Sequence, residues 1–282
     1  MSAGERTEDM NRLPDETAEK APAAEASFAS AYTDDGFLGG RLHLLQPAKG
    51  YRAGIDAVLL AASVPARLGE HALEAGSGVG VASLCLAARV SDAVIAGLEL
   101  QPELARVAQE NARRNGLGDR VSFHEGDVGA RVRDLAALGL EPQSWHHVFM
   151  NPPFHDAAAS TLPPDAGKAR AHMTLGSDLA DWVRFACVMV RPKGTVSIVH
   201  RADALSQILV ALEGHVGGIE VFPLWPAAGK PASRVIVRGI RGSRAPLTLR
   251  PGLVLHGRDG RFTERAEDIL RHGAPLLLDQ PL

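Results

Sequence analysis

The chain has 282 residues, of which 45% are hydrophobic and 22% charged, and its formal net charge is −3. A chain of this length and hydrophobic content can form one large domain with appendages. Because no apolar run approaches the roughly 20 residues that cross a bilayer, and no apolar core of a signal peptide follows Met1, we expect a cytoplasmic protein without a membrane partner.

The first 70 residues are expected to precede the main domain. Residues 1–35 hold nine acidic and three basic side chains without hydrophobic periodicity, which predicts a disordered acidic tail. Residues 36–70 form a predicted extension of one hairpin, with its turn at Gly39 and Gly40, and one helix with Asp56 as its N-cap.

Strands and helices alternate regularly over residues 71–245. Predicted strands cover 71–75, 93–99, 121–125, 145–150, 195–200, 218–224 and 234–240. Predicted helices cover 80–90, 102–116, 131–138, 177–191 and 202–213. This order predicts an α/β, Rossmann-like domain with a seven-stranded, mostly parallel sheet and an antiparallel edge strand. Residues 246–282 are predicted to be a basic extension packed on the same domain.

A glycine-rich loop follows the first strand of this domain. Glu74-Ala-Gly-Ser-Gly-Val-Gly80 places Gly76, Gly78 and Gly80 between a strand and a helix, where the backbone can approach a ligand. The G-x-G-x-G spacing differs from the G-x-G-x-x-G of dinucleotide enzymes and suits the carboxylate of an amino acid better than a pyrophosphate. Glu74 is then a candidate partner for the ammonium group of a methionine moiety.

Acidic residues end the next two strands. Glu99, 19 residues after Gly80, is placed to accept hydrogen bonds from both hydroxyls of a ribose, with Leu100 beside it. Asp127 could accept a hydrogen bond from an adenine amino group, while the amide of Val128 donates to a ring nitrogen. An adenosine-containing ligand, either NAD or S-adenosylmethionine, fits this set.

The sequence Met150-Asn-Pro-Pro-Phe-His155 follows the fourth strand. Asn151 offers an amide oxygen, and Pro152 and Pro153 stiffen the backbone and remove its donors, so that the Pro152 carbonyl can face a ligand. Phe154 offers a flat face for stacking. The motif suits a planar group that bears an NH2.

Further substrate contacts are expected nearby. The long loop over residues 155–173 is predicted to be a lid, in which His155 contacts substrate and Lys168 and Arg170 bind phosphates. Arg52 and Asp56 are expected to close over the methionine end of the ligand. No metal site is expected at His146 and His147, because no Cys or paired acid lies at ligand spacing.

Together these motifs resemble the class I S-adenosylmethionine-dependent methyltransferases, over roughly residues 50–200. Asn-Pro-Pro-Phe resembles the branch that methylates amino groups. The wider pattern is similar to the bacterial tRNA1(Val) adenine-37 N6-methyltransferases, through Leu44-Leu-Gln46, Tyr51–Ala61, Lys230–Val237 and Leu253–Glu267. The resemblance implies S-adenosylmethionine as cofactor, adenine N6 in tRNA as acceptor, and Asn151, Pro152, Pro153 and Phe154 as the catalytic motif.

Other functions stay open at this point. A guanine-N2 rRNA methyltransferase and a protein glutamine-N5 methyltransferase share the motif, but each typically carries an N-terminal domain for which this chain has no room. An NAD-dependent oxidoreductase would explain Glu99 and leave the Asn-Pro-Pro-Phe sequence unexplained. A non-catalytic RNA-binding module is the third class. The oligomeric state does not follow from the sequence.

Overall fold

A computed structural model describes residues 31–50, 52–153 and 178–279. An antiparallel hairpin opens this part of the chain, formed by strands β1 (Tyr32–Phe37) and β2 (Leu42–Pro47) around a 3-10 turn at Leu38–Gly40. The turn lies where Gly39 and Gly40 predicted it. The predicted tail was wrong for residues 32–35, which are part of β1.

The acidic side chains that suggested a tail have cationic partners in the folded chain. Asp34 pairs with Arg114, and Asp35 pairs with Arg52 and accepts a hydrogen bond from Gln46 Nε2 at 2.6 Å. The negative charge of this segment therefore did not prevent it from folding into the hairpin. The tail prediction for residues 1–30 lies outside the described residues.

A nine-stranded sheet forms the centre of the described structure. Its strands lie in the order β10, β8, β9, β7, β6, β3, β4, β5, and β11 also pairs with β8. The bounds are β3 (His71–Ala75), β4 (Val94–Glu99), β5 (Val121–Glu125), β6 (Trp145–Met150), β7 (Val190–Arg201), β8 (Val216–Ala227), β9 (Arg234–Arg241), β10 (Thr248–Leu249) and β11 (Leu253–His256).

The seven predicted strands are all present, and the predicted fold class is confirmed. Strand β9 is antiparallel to both of its neighbours, β7 and β8, while the other strand pairs of this sheet are parallel. It lies between β7 and β8 and not at the sheet edge. The short strands β10 and β11 both pair with β8 and lie outside it. The C-terminal segment thus adds β10 and β11 to the sheet; residues 280–282 lie outside the described part.

Helices cover both faces of the sheet. Their bounds are α1 (Ile55–Ser63), α2 (Val81–Arg89), α3 (Pro102–Arg114), α4 (Val132–Ala137), α5 (Leu179–Met189), α6 (Leu205–Leu212) and α7 (Glu264–His272). One apolar core joins the hairpin, α1, α2, α3 and α7 to the sheet, and a second joins α4, α5 and α6 to it. In the described part of the chain, no helix has the length and apolar character to cross a membrane.

One local prediction is wrong. Asp56 is not an N-cap: α1 begins after Gly54, and Asp56 lies in its first turn, where it accepts a hydrogen bond from Arg234 Nε at 2.9 Å.

Cys85 and Cys187 are buried free thiols. Burial raises the pKa of Cys85 to about 12 and of Cys187 to about 11, which makes both poor nucleophiles.

Candidate active site

The candidate site lies where the strand order reverses. The chain runs from β3 outward to β4 and β5, then returns to β6 on the other side of β3. Open α/β sheets bind ligands at the carboxyl ends of the strands that flank such a switch point. Ala75 of β3 pairs with Met150 of β6, so Gly76 and Asn151 are the next residues on neighbouring strands, about 4.8 Å apart by strand spacing.

The loop from Gly76 to Gly80 has a backbone that glycine alone adopts easily. Gly76, Gly78 and Gly80 have φ values of +67°, +54° and +87°. The N–H groups of Gly76 and Ser77 both donate to the Leu98 carbonyl, at 2.8 and 3.0 Å, which fixes the loop on the end of β4. The loop is therefore rigidly tied to the sheet at the switch point.

The three glycines have different surroundings. A Cβ atom on Gly80 would lie 2.6 Å from Cζ of Phe123, and one on Gly76 would lie 2.3 Å from Cη2 of Trp182. A Cβ atom on Gly78 would meet nothing within 4 Å. Gly78 thus presents bare backbone to open space, as a loop that receives a ligand requires.

Glu74 is turned toward the start of α2. Its Oε2 accepts hydrogen bonds from the Ser83 N–H at 2.9 Å and from the Ser83 hydroxyl at 2.5 Å. Helix α2 has no capping side chain at Gly80, so Glu74 supplies the acceptor that its first turn lacks. Burial raises the pKa of Glu74 to about 8, opposed by the Ser83 hydrogen bonds and assisted by the Glu99 charge. Contact with a ligand ammonium group stays a prediction.

Glu99 connects the glycine loop to the residues that follow β4. Its Oε2 accepts a hydrogen bond from the Gly78 N–H at 2.8 Å, and its Oε1 accepts one from the Gln101 N–H at 2.9 Å. The side chain is 7% exposed. Each carboxylate oxygen keeps a further lone pair, so the orientation leaves Glu99 able to accept from a ribose.

The remaining candidates of the donor site lie close to Glu99. The Gly126 N–H donates to the Glu99 carbonyl at 2.9 Å, which brings Asp127 and Val128 to the same strand ends. Asp127 is exposed and its Oδ1 accepts from the Gly129 N–H at 2.8 Å, while Leu100 is 41% exposed. Both can therefore be reached from solvent.

Asn151, Pro152 and Pro153 continue directly from β6. Asn151 is half-buried, Pro152 is buried and Pro153 is exposed. Phe154 lies outside the described residues, so its stacking role stays a prediction. So do the predicted lid at residues 155–173 and the substrate contacts of His155, Lys168 and Arg170.

Arg52 and Asp56 have protein partners. Arg52 pairs with Asp35 and donates to Thr33 Oγ1 at 2.7 Å, and Asp56 pairs with Arg234. These contacts join the hairpin to the segment before α1, and β9 to the first turn of α1. The structure gives the two residues this structural role, and their predicted contact with the methionine end is untested.

Sequence reasoning missed three residues that build the site: Ser83, Phe123 and Trp182. Ser83 binds Glu74 from the first turn of α2, whereas Phe123 and Trp182 touch glycines of the loop from more distant parts of the chain. A fourth, Asn111, is fully buried and its Nδ2 donates to the carbonyls of Leu45 and Val79 at 3.0 Å each. The sequence did indicate a role for Asn111, because a polar residue on the apolar face of α3 needs buried hydrogen-bond partners.

The residues at this site fit S-adenosylmethionine. Open space faces the Gly78 backbone, and the buried hydroxyl of Ser77 has no hydrogen-bond partner among the described residues. A ligand carboxylate at this loop would meet the start of α2, while the N–H groups of Gly76, Ser77, Gly78 and Gly80 already donate within the protein. Glu99 and Asp127 would meet the ribose and the adenine.

Most basic side chains of residues 230–272 bond within the protein. Arg238 and Arg250 share Glu220, and Arg241 donates to backbone carbonyls that include Val190. In the described part of the chain, the exposed basic residues of this segment without an ion pair include Lys230, Arg244 and Arg258. Such residues offer positive charge that an anionic ligand could reach.

His147 is part of a buried pair at the opposite end of the sheet. Its Nε2 lies 2.8 Å from Glu70 Oε2, and its Nδ1 lies 2.8 Å from Thr195 Oγ1. Burial lowers the pKa of His147, and the hydrogen bond to Glu70 opposes this shift. Within residues 31–50, 52–153 and 178–279, no group of three or more His, Cys, Asp or Glu side chains could hold a metal ion.

Comparisons with known proteins match the chain to methyltransferases. A family model described as Methyltransferase small domain matches residues 52–166. A tRNA1(Val) (adenine(37)-N6)-methyltransferase from Aeromonas hydrophila subsp. hydrophila is 27% identical over 234 residues, covering 82% of this chain and 94% of that protein. One from Escherichia coli O157:H7 is 30% identical over 148 residues, covering 49% and 58%.

A solved structure has the same architecture. The crystal structure of a predicted O-methyltransferase from Agrobacterium tumefaciens matches with a TM-score of 0.67 and 28% identity, covering 80% of this chain and all of that one. These similarities confirm the resemblance inferred from the glycine loop and the Asn-Pro-Pro-Phe sequence.

Proposed function

We propose that this chain, an S-adenosylmethionine-dependent methyltransferase with the class I fold, methylates the exocyclic N6 amino nitrogen of an adenine in tRNA. The observation that carries the proposal is the register of β3 and β6. It puts Asn151 one strand away from Gly76, so that an amine held at Asn151 lies beside the donor loop.

The donor site that we propose consists of the glycine loop and the three strand-end acids. Gly76, Gly78 and Gly80 would admit the methionine part against bare backbone. Glu99 would hold the ribose, with Leu100 beside it. Asp127 and the Val128 amide would recognise the adenine. When bound, S-adenosylmethionine supplies an electrophilic methyl group.

The acceptor site that we propose is the motif after β6. The lone pair of an aromatic NH2 is delocalised into its ring, which makes the nitrogen a poor nucleophile. Hydrogen bonds from that NH2 to the Asn151 amide oxygen and the Pro152 carbonyl favour a more pyramidal nitrogen and fix its direction. No strong base is needed before the transfer, because the nitrogen loses its proton readily once it is alkylated.

An amino acceptor fits the motif better than a hydroxyl. An NH2 group has two N–H donors, which match the two oxygens of Asn151 and Pro152, whereas a hydroxyl has one donor. The name of the Agrobacterium protein, a predicted O-methyltransferase, makes an oxygen acceptor the alternative to test. Guanine N2 and a glutamine amide are the amino acceptors that compete with adenine.

The tRNA assignment takes its support from the names of the Aeromonas and Escherichia proteins. An adenine in a loop is the easier target, because a base inside a helix must first be unstacked and unpaired. The exposed side chains of Lys230, Arg244 and Arg258 offer positive charge for an RNA backbone. We expect Phe154 to stack on the base and, with His155, Lys168 and Arg170, to complete the acceptor side.

The test uses an unmodified tRNA1(Val) transcript, S-adenosylmethionine with a deuterated methyl group, and mass spectrometry of the digested nucleosides. A transcript with guanosine at position 37 is the matched control. We expect labelled N6-methyladenosine from the first transcript and none from the second. Labelled N2-methylguanosine, a labelled ribose oxygen, or no labelled nucleoside would refute the assignment.

The donor is tested by calorimetry on the purified protein. We expect S-adenosylhomocysteine to bind and NAD not to bind. Binding of NAD alone would favour the oxidoreductase that the glycine spacing argues against.

A further inference from the structure

We infer that Trp182 is a substrate-binding residue that contacts the acceptor base beside Asn151. The inference rests on the proposed function, since it assumes a planar acceptor held by Asn151. It adds an aromatic contact from α5 to a site otherwise built from loops at the ends of β3 to β6.

The indole lies against the glycine loop. A Cβ atom on Gly76 would be 2.3, 2.7 and 3.6 Å from Cη2, Cζ3 and Cζ2 of Trp182. The six-membered ring therefore occupies the volume that any other residue at position 76 would fill. The absence of a side chain at Gly76 and the position of the indole depend on each other.

The register of the sheet brings Gly76, on which the indole rests, close to Asn151, the residue proposed to bind the acceptor amine. Gly76 follows Ala75, and Asn151 follows Met150, the residue that pairs with Ala75. Neighbouring strands are about 4.8 Å apart, which is less than the length of an indole. Because the ring rests on Gly76, at the end of the strand that pairs with β6, we expect an acceptor held at Asn151 to lie within its reach.

The first turn of α5 holds the indole in this position. Asp178 Oδ1 accepts a hydrogen bond from the Asp181 N–H at 2.9 Å, and Asp181 Oδ2 accepts one from the Asp178 N–H at 3.2 Å. This capping box fixes the start of the helix immediately before Trp182. The ring is thereby placed by a stable turn.

Trp182 differs from the next aromatic residue on the same helix. Phe185 is 4% exposed and belongs to the core between α5 and the sheet, whereas Trp182 is half-buried and only borders that core. Trp182 therefore combines partial solvent exposure with a direct contact to Gly76 of the candidate site.

The chemistry of an indole fits an adenine. Every nucleobase has a π face, and stacking on an aromatic side chain strengthens binding of a base about 5- to 100-fold. Asn151 and Pro152 recognise the amino group in the plane of the base, so the faces of the base need separate contacts. Trp182 supplies one such contact.

The test compares Trp182→Ala and Trp182→Phe with wild type in three measurements. They are the affinity for the acceptor RNA with S-adenosylhomocysteine present, the affinity for S-adenosylhomocysteine alone, and the KM and kcat of methyl transfer. We expect Trp182→Ala to weaken RNA affinity and raise the RNA KM about 5- to 100-fold, with S-adenosylhomocysteine affinity within about threefold of wild type. Trp182→Phe should recover most of the loss.

Two control variants separate binding from folding. Phe185→Leu removes an aromatic ring from the core of the same helix and should lower the unfolding temperature while leaving RNA affinity unchanged. Trp225→Phe removes an indole whose Nε1 donates to the Pro251 carbonyl at 3.0 Å, and Trp225 lies in β8, three strand positions from β6. Quenching of tryptophan fluorescence by the acceptor should be lost in Trp182→Phe and retained in Trp225→Phe.

The inference is overturned if Trp182→Ala binds RNA as wild type does, or if its loss falls on S-adenosylhomocysteine alone. Failure of the proposed function is recognised separately, because the nucleoside analysis of wild type requires no variant. If wild type methylates another planar amine, the same variants test Trp182 with that acceptor.

Discussion

The carboxylate of Glu99 accepts a hydrogen bond from the backbone N–H of Gly78 at 2.8 Å. This contact joins the end of β4 to the middle of the glycine loop, at the one loop glycine that faces open space. The donor site is therefore a shaped backbone surface with a carboxylate fixed at its border, and substitutions at Gly78 test it.

Gly78→Ala should weaken binding of S-adenosylhomocysteine at least about tenfold, because a Cβ atom would project into the space that the donor needs. Gly116→Ala is the matched control. It has a similar φ of +67° and open space around its Cβ position, but it lies after α3, away from the site. Both variants should lose about 1–2 kcal/mol of stability from backbone strain. Equal donor affinity in the two variants would contradict the proposed position of the donor.

Glu74 should make the stability of the protein depend on pH. Its folded pKa is about 8 and its ordinary value is 4.5, so the folded chain binds more protons between these values. Its contribution to stability is complete below pH 4.5 and is lost as the pH rises toward 8.

We therefore expect the unfolding free energy of wild type, relative to Glu74→Gln, to fall as the pH rises from 5 to 8. The slope should approach about 1.4 kcal/mol per pH unit within this window. Chemical denaturation of both proteins at pH 5, 6, 7 and 8 measures it. A difference that does not change with pH would show that Glu74 is ionised in the folded chain throughout.

Glu220 should be important for stability and not for chemistry. Its two oxygens bond Arg238 and Arg250, with Nη2 distances of 2.5 and 2.6 Å, and Arg238 and Glu220 have side chains only 13% and 14% exposed. Glu220→Gln places an NH2 against a guanidinium and should cost about 3 kcal/mol. Glu110→Gln, which alters an exposed pair with Arg113, should cost less than about 1 kcal/mol. Thermal denaturation of the two variants decides, and equal losses would contradict this ranking.

Local patterns were sufficient to predict seven of the nine strands of the central sheet and the loops at its carboxyl edge, but not β10, β11 or the inner position of β9. The short apolar strands and the helix starts agree with the structure within a few residues, because periodicity and turn residues are local properties. Asn151 and Gly76 could be assigned to one edge, since parallel strands of one sheet end together.

Contacts between distant parts of the chain could not be predicted in the same way. Trp182 has the spacing of a core residue, and nothing near it in sequence indicates that it lies on Gly76, over a hundred positions earlier. Likewise, Arg238 and Arg241 contribute to a basic segment, but their buried partners appear only once β9 has found its neighbours. A count of charged residues in the sequence does not show which group each side chain pairs with in the fold.

The central claim is that Asn151 binds the acceptor amine, and one comparison tests it most directly. Methyl transfer to the tRNA1(Val) transcript is measured for wild type, Asn151→Ala and the isosteric Asn151→Asp, together with the affinity of each for S-adenosylhomocysteine. We predict that Asn151→Ala lowers kcat at least about 100-fold with donor affinity nearly unchanged, and that Asn151→Asp, which keeps an acceptor oxygen, retains more activity. Full activity in Asn151→Ala would contradict the account.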